Sequence, residues 1–257
     1  GGTAAKTPRE AAKGADFVMA CVGNDDDLRS VCLGDDGAFA GMAPGSVFVD
    51  HTTVSAKVTR ELYAAADKLN ISFVDAPISG GQAGAENGQL SVMCGGDQGA
   101  YDRAAPIIDA YSKICRRIGS SGAGQMTKMC NQIVIAGTMI GVCESLLYGC
   151  RAGLDLDQVL ASISGGAAGC WSLTNLAPRI LKRNFDPGFF VDHFIKDMEI
   201  ALDEARRMHL CLPGLALVHQ LYLAVTANGG GQSGTQALML ALESMSQVQV
   251  HSAAPKA

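Results

Sequence analysis

The sequence predicts an α/β fold in which a parallel-sheet domain of the Rossmann-like type is followed by an all-α domain. In the first half of the chain, short apolar runs alternate with helical segments, as they do in βαβ units. From Gly122 onward the strand patterns stop and long apolar-periodic segments follow one another. We therefore place one domain at residues 1–119 and the other at 120–257, with the boundary in the loop Gly119-Ser-Ser-Gly122.

Five short apolar runs in the first domain are predicted to be buried strands. They cover residues 16–23, 45–51, 71–75, 89–94 and 114–118. Helices are predicted from 53 or 55 to 67 and from 101 to 111, and Asn24 stands where it can cap the helix after the first strand.

The second domain is predicted to consist of helices alone, at about 122–151, 155–164, 171–183, 190–209, 212–227 and 233–247. The apolar stretch 133–150 carries Glu144 and several small residues. We interpret it as a buried helix and not as a membrane span. The tail from Val248 is expected to fray.

Composition narrows the function classes. The net charge of −5 provides no general field that would attract nucleic acid or an acidic membrane. The nine cysteines match no zinc-binding spacing, and their odd number favours a reducing compartment. The cytoplasm and the mitochondrial matrix both remain open.

Three motifs occur in a fixed order, namely Asp75-Ala-Pro-Ile-Ser-Gly-Gly81, Gly122-Ala-Gly-Gln-Met-Thr-Lys-Met-Cys-Asn-Gln132 and Phe194-Ile-Lys-Asp197. They resemble the substrate-binding DAPVSGG, catalytic GxGQxxKxxNN and later KD motifs of the β-hydroxyacid dehydrogenases, the family of 3-hydroxyisobutyrate dehydrogenase and tartronate semialdehyde reductase. The resemblance runs from Thr7 to about Ala227. It implies hydride transfer between NAD or NADP and a small 3-hydroxy acid or its semialdehyde.

The first motif supplies candidate substrate contacts. Ser79, Gly80 and Gly81 follow a strand and a proline, and glycine backbone with a serine hydroxyl suits a carboxylate. An ordinary glycine-rich turn would show the same pattern. The resemblance favours substrate binding, and it places Asp197 near the substrate or the domain interface.

The second motif supplies the candidate acid and base. A lysine in a partly desolvated site can move protons near neutral pH, and the resemblance assigns that role to Lys128. The family usually has Asn four residues later, where this chain has Gln132 preceded by Asn131. Either amide could orient the substrate's reacting group.

Cofactor contacts follow from the resemblance. Val22, Gly23 and Thr53 match positions that contact the nicotinamide ribose, and Lys196 matches the lysine that faces the nicotinamide. An ordinary surface ion pair would also explain Lys196 beside Asp197. His51 stands where the family often has an apolar residue, and we assign it no chemistry.

The sequence has no first strand followed by a GxGxxG turn, which a dinucleotide site needs. The resemblance therefore predicts an N-terminally truncated chain with impaired cofactor binding. It leaves the choice between NAD and NADP open.

Three functional interpretations remain. The first is an enzyme acting on 3-hydroxyisobutyrate, tartronate semialdehyde and glycerate, or short semialdehydes; phosphorylated sugar acids fit less well. The second is a non-catalytic scaffold homologue, and the third an inactive fragment. Retention of Lys128 favours the enzyme. We expect a homodimer or homotetramer formed through the long apolar helices, with no nucleic-acid, membrane or metal partner.

Overall fold

The computed structural model describes residues 2–252. The chain divides into two compact units, Gly1–Cys130 and Asn131–Ala257.

The first unit is built on a sheet that contains six strands among the described residues. They are β1 (Phe17–Ala20), β2 (Val47–Asp50), β3 (Ser72–Asp75), β4 (Ile78–Ser79), β5 (Leu90–Gly96) and β6 (Ser112–Gly119). The order is β1-β2-β3-β5-β4, and β6 pairs with β5. All five predicted strands are present; the two-residue β4 was not predicted.

Strand direction divides the sheet. β1, β2 and β3 are parallel, so the three loops that follow them leave the same edge. β5 is antiparallel to β3 and β4 but parallel to β6. The sheet is thus mainly parallel, as the predicted fold class requires. The antiparallel direction of β5 relative to β3 was not predicted, and it arises because the chain reverses through β4 and a short helix before it enters β5.

Six helices accompany this sheet, namely α1 (Pro8–Ala12), α2 (Asp25–Cys32), α3 (Ala38–Gly41), α4 (Ala56–Asp67), α5 (Gly81–Glu86) and α6 (Gln98–Ile108). Asn24 caps α2 as predicted, since its side chain accepts from the N–H groups of Asp26 and Asp27. Ser55 caps α4. The short helices α1, α3 and α5 were not predicted.

Both faces of the parallel strands are covered, which explains why their sequences read as continuous apolar runs. On one face, Phe48 and Phe73 stack and pack edge-on against Phe39. On the other, the neighbouring positions of β2 and β3 pack with buried residues of α6, forming a second cluster.

The second unit is helical throughout its described residues. It contains most of α7 (Ala123–Arg151), which begins in the first unit, and α8 (Leu156–Ile163), α9 (Trp171–Asn175), α10 (Ala177–Leu181), α11 (Val191–Arg207), α12 (Pro213–Ala227) and α13 (Leu238–Ser246), with a 3₁₀ turn at Thr235–Ala237. The single helix predicted at 171–183 is two helices. Pro178 lies in the first turn of α10, where a proline starts a helix and disfavours continuation from the preceding one.

Helix α7 is long and apolar enough to cross a membrane by length and composition, a test that core helices also pass. A third of its most apolar stretch is buried within this chain. Val134 is 62% exposed and Tyr148 is 77% exposed. The prediction of a buried helix therefore holds on one side only, because the other side has no covering element among residues 2–252.

The C-terminal tail is held in place as far as Ser252. The buried Val250 donates its N–H to Glu243 Oε1 (2.6 Å), and Ser252 donates its N–H to Leu181 O (3.2 Å). The prediction that the chain frays from Val248 is therefore wrong as far as residue 252. Residues 253–257 lie outside the described part.

Candidate active site

The loops that follow β1, β2 and β3 are joined directly to one another at the edge of the sheet. Thr52 Oγ1 accepts a hydrogen bond from the Val22 N–H (3.0 Å), which ties the first loop to the second. The His51 ring bonds Ala76 O through Nδ1 (2.7 Å), which ties the second loop to the third. The side chains that the sequence places after these strands are therefore neighbours.

His51 has a defined tautomer. Because the Ala76 carbonyl can only accept, Nδ1 carries the proton, and Nε2 accepts from the Tyr111 hydroxyl (2.8 Å). Burial lowers the pKa of His51, against the opposing effect of the Ala76 hydrogen bond. Burial also raises the pKa of Tyr111 to about 12. The pair is thus neutral near pH 7 and serves as a link between loops.

Asp75, the last residue of β3, caps the start of α7. Its carboxylate accepts from the N–H groups of Gly122 (2.9 Å) and Gln125 (3.1 Å). Burial raises the pKa of Asp75, and these backbone hydrogen bonds partly offset the effect. A Cβ on Gly95 would lie 2.6 Å from Asp75 Oδ1, and one on Gly124 would lie 2.7 Å from Asp75 O. Glycine at both positions lets the strand and the helix approach this carboxylate closely.

Lys128 lies on the second turn of α7, with its side chain directed at the first motif. Its Nζ donates to Ile78 O (2.8 Å), and the residue is 6% exposed. The partly desolvated environment expected for this lysine is therefore present. Its partner carbonyl belongs to Asp75-Ala-Pro-Ile-Ser-Gly-Gly81.

The end of that motif forms a glycine turn between β4 and α5. Gly80 has φ 139° and Gly81 has φ 63°, both in the region that favours glycine. Both glycines are exposed, and Ser79 before them is half-buried. This segment presents backbone and one hydroxyl to its surroundings.

The other candidate polar residues form a cluster within the second unit. Gln132 Nε2 donates to Asp197 Oδ2 (2.6 Å), and Asn131 Nδ2 donates to Gln132 Oε1 (2.7 Å). Lys196 Nζ lies 3.2 Å from Asp197 Oδ1. Asp197 is 1% exposed, so the ion pair is not an ordinary surface pair.

Two family models and several relatives match this chain. Residues 1–142 match the family model described as the NAD binding domain of 6-phosphogluconate dehydrogenase. Residues 122–242 match the model described as NAD-binding of NADP-dependent 3-hydroxyisobutyrate dehydrogenase. The chain is 47% identical to a probable 3-hydroxyisobutyrate dehydrogenase-like protein, mitochondrial, of Arabidopsis thaliana, over 98% of this chain and 75% of that protein. The chain belongs to the β-hydroxyacid dehydrogenase family.

Two further relatives span a similar share of this β-hydroxyacid dehydrogenase. The 2-hydroxy-3-oxopropionate reductase of Escherichia coli is 33% identical over 95% of this chain and 84% of that protein. A crystal structure of 3-hydroxyisobutyrate dehydrogenase from Salmonella typhimurium superposes with a TM-score of 0.84 at 28% identity, covering 91% of this chain and 82% of that one. The expected family and the expected fold class are confirmed, and this chain is an NAD(P)-dependent oxidoreductase.

The residues present fit the nicotinamide end of the cofactor of a β-hydroxyacid dehydrogenase. Val22, Gly23 and Thr53 are each half-buried, and the hydrogen bond from the Val22 N–H to Thr52 Oγ1 places them where the first two loops meet. The spacing GxGxxG occurs once, at 229–234, in a turn between α12 and the 3₁₀ helix. No strand precedes it, so it does not supply a pyrophosphate turn.

Sequence reasoning missed the residues that hold this site together. From the sequence, Asp75 and Gln125 stand out only as members of the first and second motifs, and His51 is assigned no chemistry. The available signal was the position of Asp75 and His51 at strand ends. The partners of His51, Asp75 and Gln125 lie 25 to 73 residues away along the chain, so the individual contacts needed the structure.

Proposed function

We propose that this enzyme interconverts a small 3-hydroxy acid and its semialdehyde, of the 3-hydroxyisobutyrate or tartronate semialdehyde and glycerate type, with Lys128 as general acid and base. The observation that carries the proposal is the buried Lys128 Nζ bonded to Ile78 O within the substrate motif. The names of the Arabidopsis, E. coli and Salmonella relatives support the substrate class.

In the oxidation direction, Lys128 accepts the proton of the substrate hydroxyl; in reduction it returns that proton to the new alkoxide. NAD or NADP supplies the hydride acceptor or donor. The bond to Ile78 O holds Nζ at one place beside the substrate motif, so the amine does not search for its partner during the reaction. Burial of the side chain keeps bulk water from competing for the proton.

Ser79, Gly80 and Gly81 are proposed to hold the substrate carboxylate. The support is the exposed glycine turn, whose positive φ angles turn the backbone in a way that other residues rarely adopt. The Ser79 hydroxyl adds one donor. Recognition by backbone N–H groups suits a carboxylate common to all short hydroxy acids, and the rest of the pocket then selects among them.

We assign the orientation of the reacting group to Asn131, supported by Gln132. Both polar ends of the Gln132 amide are engaged, one with Asp197 and the other with Asn131. Gln132 is also 3% exposed, whereas Asn131 is half-buried. Asp197 accepts the hydrogen bond that holds the first of these amides, and the ammonium group of Lys196 balances the negative charge of the Asp197 carboxylate. Val22, Gly23, Thr53 and Lys196 are the proposed cofactor contacts.

The exposed side of α7 is proposed to pair with a second copy of the chain in a homodimer or homotetramer. Exposed positions recur along one stripe of the helix that includes Val134, Gly137, Gly141 and Tyr148. Small residues on such a stripe allow close helix approach.

We expect Val134→Lys to lower the solution mass toward that of one chain in light scattering. An unchanged oligomer would contradict pairing through this face. We propose that the protein is located in the cytoplasm or the mitochondrial matrix.

The test of the proposed function is an assay of NAD(P)H formation with two sets of substrates. The 3-hydroxy acids 3-hydroxyisobutyrate and glycerate form one set, and lactate and 6-phosphogluconate form the other. We expect turnover of at least one 3-hydroxy acid and much slower turnover of the second set. Preferred turnover of lactate or of the phosphorylated acid would contradict the proposal.

A further inference from the structure

The side chain of Gln125 holds the loop that follows β2 at two points. Its Nε2 donates to Thr52 O (2.8 Å), and its Oε1 accepts from the Val54 N–H (3.2 Å). Thr53 lies between these two residues. One amide therefore fixes the backbone on both sides of the proposed ribose contact.

The same residue is fixed to the start of α7 through its own backbone. The Gln125 N–H donates to Asp75 Oδ2 (3.1 Å). Lys128 follows three residues later on the same helix and bonds Ile78 O. The turn that carries the proton-transferring lysine thus also carries the group that holds the Thr53 loop.

A third contact extends this set of bonds to the first loop. Thr52, whose carbonyl Gln125 holds, accepts the Val22 N–H on its hydroxyl (3.0 Å). All of these residues belong to the first unit. Val22, Thr53 and Lys128 are consequently linked through one residue, Gln125, which is 0% exposed.

The chemistry of the side chain matches this task closely. The two loop groups are a carbonyl and an N–H, so their partner must offer one donor and one acceptor at its tip. An amide does so at every pH and carries the donor and the acceptor on two separate atoms, whereas a carboxyl does so only when protonated. Asparagine would be one methylene short.

We infer that Gln125 is a positioning residue that sets the distance between the cofactor-contacting loop and Lys128. The inference rests on the proposed roles of Thr53 and Lys128 but concerns a residue whose side-chain polar atoms bind backbone groups of the protein itself. Misplacement of reacting groups by about 1 Å can cost about 10²-fold in rate. We therefore expect loss of this clamp to lower kcat and to raise the cofactor KM, together with the NAD(P)H dissociation constant measured by fluorescence titration without turnover.

The decisive variant is Gln125→Glu, assayed across pH. A protonated glutamic acid can donate to Thr52 O and accept from the Val54 N–H, but its carboxylate cannot donate. The titratable groups around this position are Asp50, which accepts the Thr52 N–H, together with Asp75 and Lys128. All three are common to variant and wild type, so the ratio of the two activities at each pH isolates the substituted residue.

Gln236 provides a matched control in the other unit. It is 1% exposed, and its Nε2 donates to the carbonyls of Asn184 and Asp186, both at 3.1 Å. Gln236→Glu therefore also places a carboxyl against backbone acceptors in a buried position. We expect it to lower stability without changing the cofactor KM of the folded enzyme.

The expected result is that Gln125→Glu approaches wild-type kcat and cofactor KM at low pH. As pH rises, we expect kcat divided by cofactor KM to fall by about 10²-fold relative to wild type. Gln125→Met keeps the length but removes both hydrogen bonds, so at every pH it should show the kinetics that Gln125→Glu shows at high pH. It tests the inference on its own if Gln125→Glu fails to fold. Wild-type kinetics in Gln125→Met, a pH-independent defect in Gln125→Glu, or the same pH-dependent recovery in Gln236→Glu would overturn the inference.

Thr53→Ala separates this inference from the proposed function. An unchanged cofactor KM in Thr53→Ala would contradict the assignment of Thr53 as a cofactor contact, and with it the proposed function at that residue. If the Gln125 variants keep wild-type kcat and cofactor KM while Thr53→Ala raises the cofactor KM, the positioning role of Gln125 alone would be overturned.

Discussion

The two polar clusters of this enzyme are built in different ways. In the first unit, Asp75, Gln125 and Lys128 each bind backbone groups of a neighbouring loop or helix end. In the second unit, Gln132 and Asp197 bind other side chains. Backbone partners cannot be replaced by substitution, whereas side-chain partners can. Under the proposed function, we therefore expect the first cluster to fix the geometry of the reaction and the second to tolerate change.

This difference predicts where change is tolerated. A substitution in the first cluster leaves a buried backbone group without its partner, which costs about 1–3 kcal/mol. A substitution in the second cluster changes one partner of a side-chain hydrogen bond, and a second substitution at the other partner can restore a bond there. We therefore expect the first cluster to control rate and the second to control the choice of substrate.

The largest effect is expected from Lys128→Ala. Loss of general acid–base catalysis should lower kcat by about 10²–10⁴-fold, with little change in the cofactor dissociation constant, because Lys128 bonds the substrate motif. Steady-state kinetics with a fluorescence titration of NAD(P)H checks both quantities. Lys57→Ala, on the exposed side of α4, is the control. Near-normal turnover in Lys128→Ala would show that another group moves the proton.

A smaller effect, on selectivity, is expected from Gln132→Asn. Shortening the side chain by one methylene moves its amide away from Asp197 and lets Asn131 shift. The ratio of kcat/KM for glycerate to that for 3-hydroxyisobutyrate should change by about 10–200-fold, the range for a methylene-sized change in a pocket. An unchanged ratio would mean that Gln132 does not shape the substrate pocket and that Asn131, or neither amide, orients the substrate.

The smallest effect is on stability, through His51. Burial lowers its pKa in the folded enzyme. The contribution of His51 to the free energy of unfolding is therefore fully present above the ordinary histidine pKa of about 6.5. It is lost as pH falls from there through the lowered folded value, because the unfolded chain takes up the proton first.

Unfolding measurements across this pH range test the assignment. In His51→Gln, the change in unfolding free energy with pH over this range should be smaller than in the wild type. In His219→Gln, which changes another buried histidine, it should be kept. A slope that survives in His51→Gln would show that another group titrates in this window.

The elements of the fold were predictable because their signals are local. Apolar runs that end in turn residues indicated β1 to β3, and a side chain with capping ability indicated the start of α2. Parallel strands leave the same edge of a sheet, so the meeting of their loops followed from the same patterns. The reversal of β5 did not, because a single buried strand has the same composition in either direction.

The contacts of the site were much less predictable. The Gln125 side chain reaches residues 71 and 73 positions away. No spacing rule connects a helix glutamine to a loop at that separation. The prediction that the tail frays from Val248 was wrong for a similar reason. The tail is held by the buried Glu243 side chain, which accepts a hydrogen bond from the Val250 N–H.

Proton transfer by Lys128 is tested most directly by chemical rescue of Lys128→Ala with small primary amines. We expect added amine to restore turnover in proportion to its concentration, and the restored rate to depend on the pKa of the amine. The wild-type enzyme should not respond. Turnover in Lys128→Ala that stays at the wild-type level without amine, or amine stimulation equal in variant and wild type, would contradict the claim.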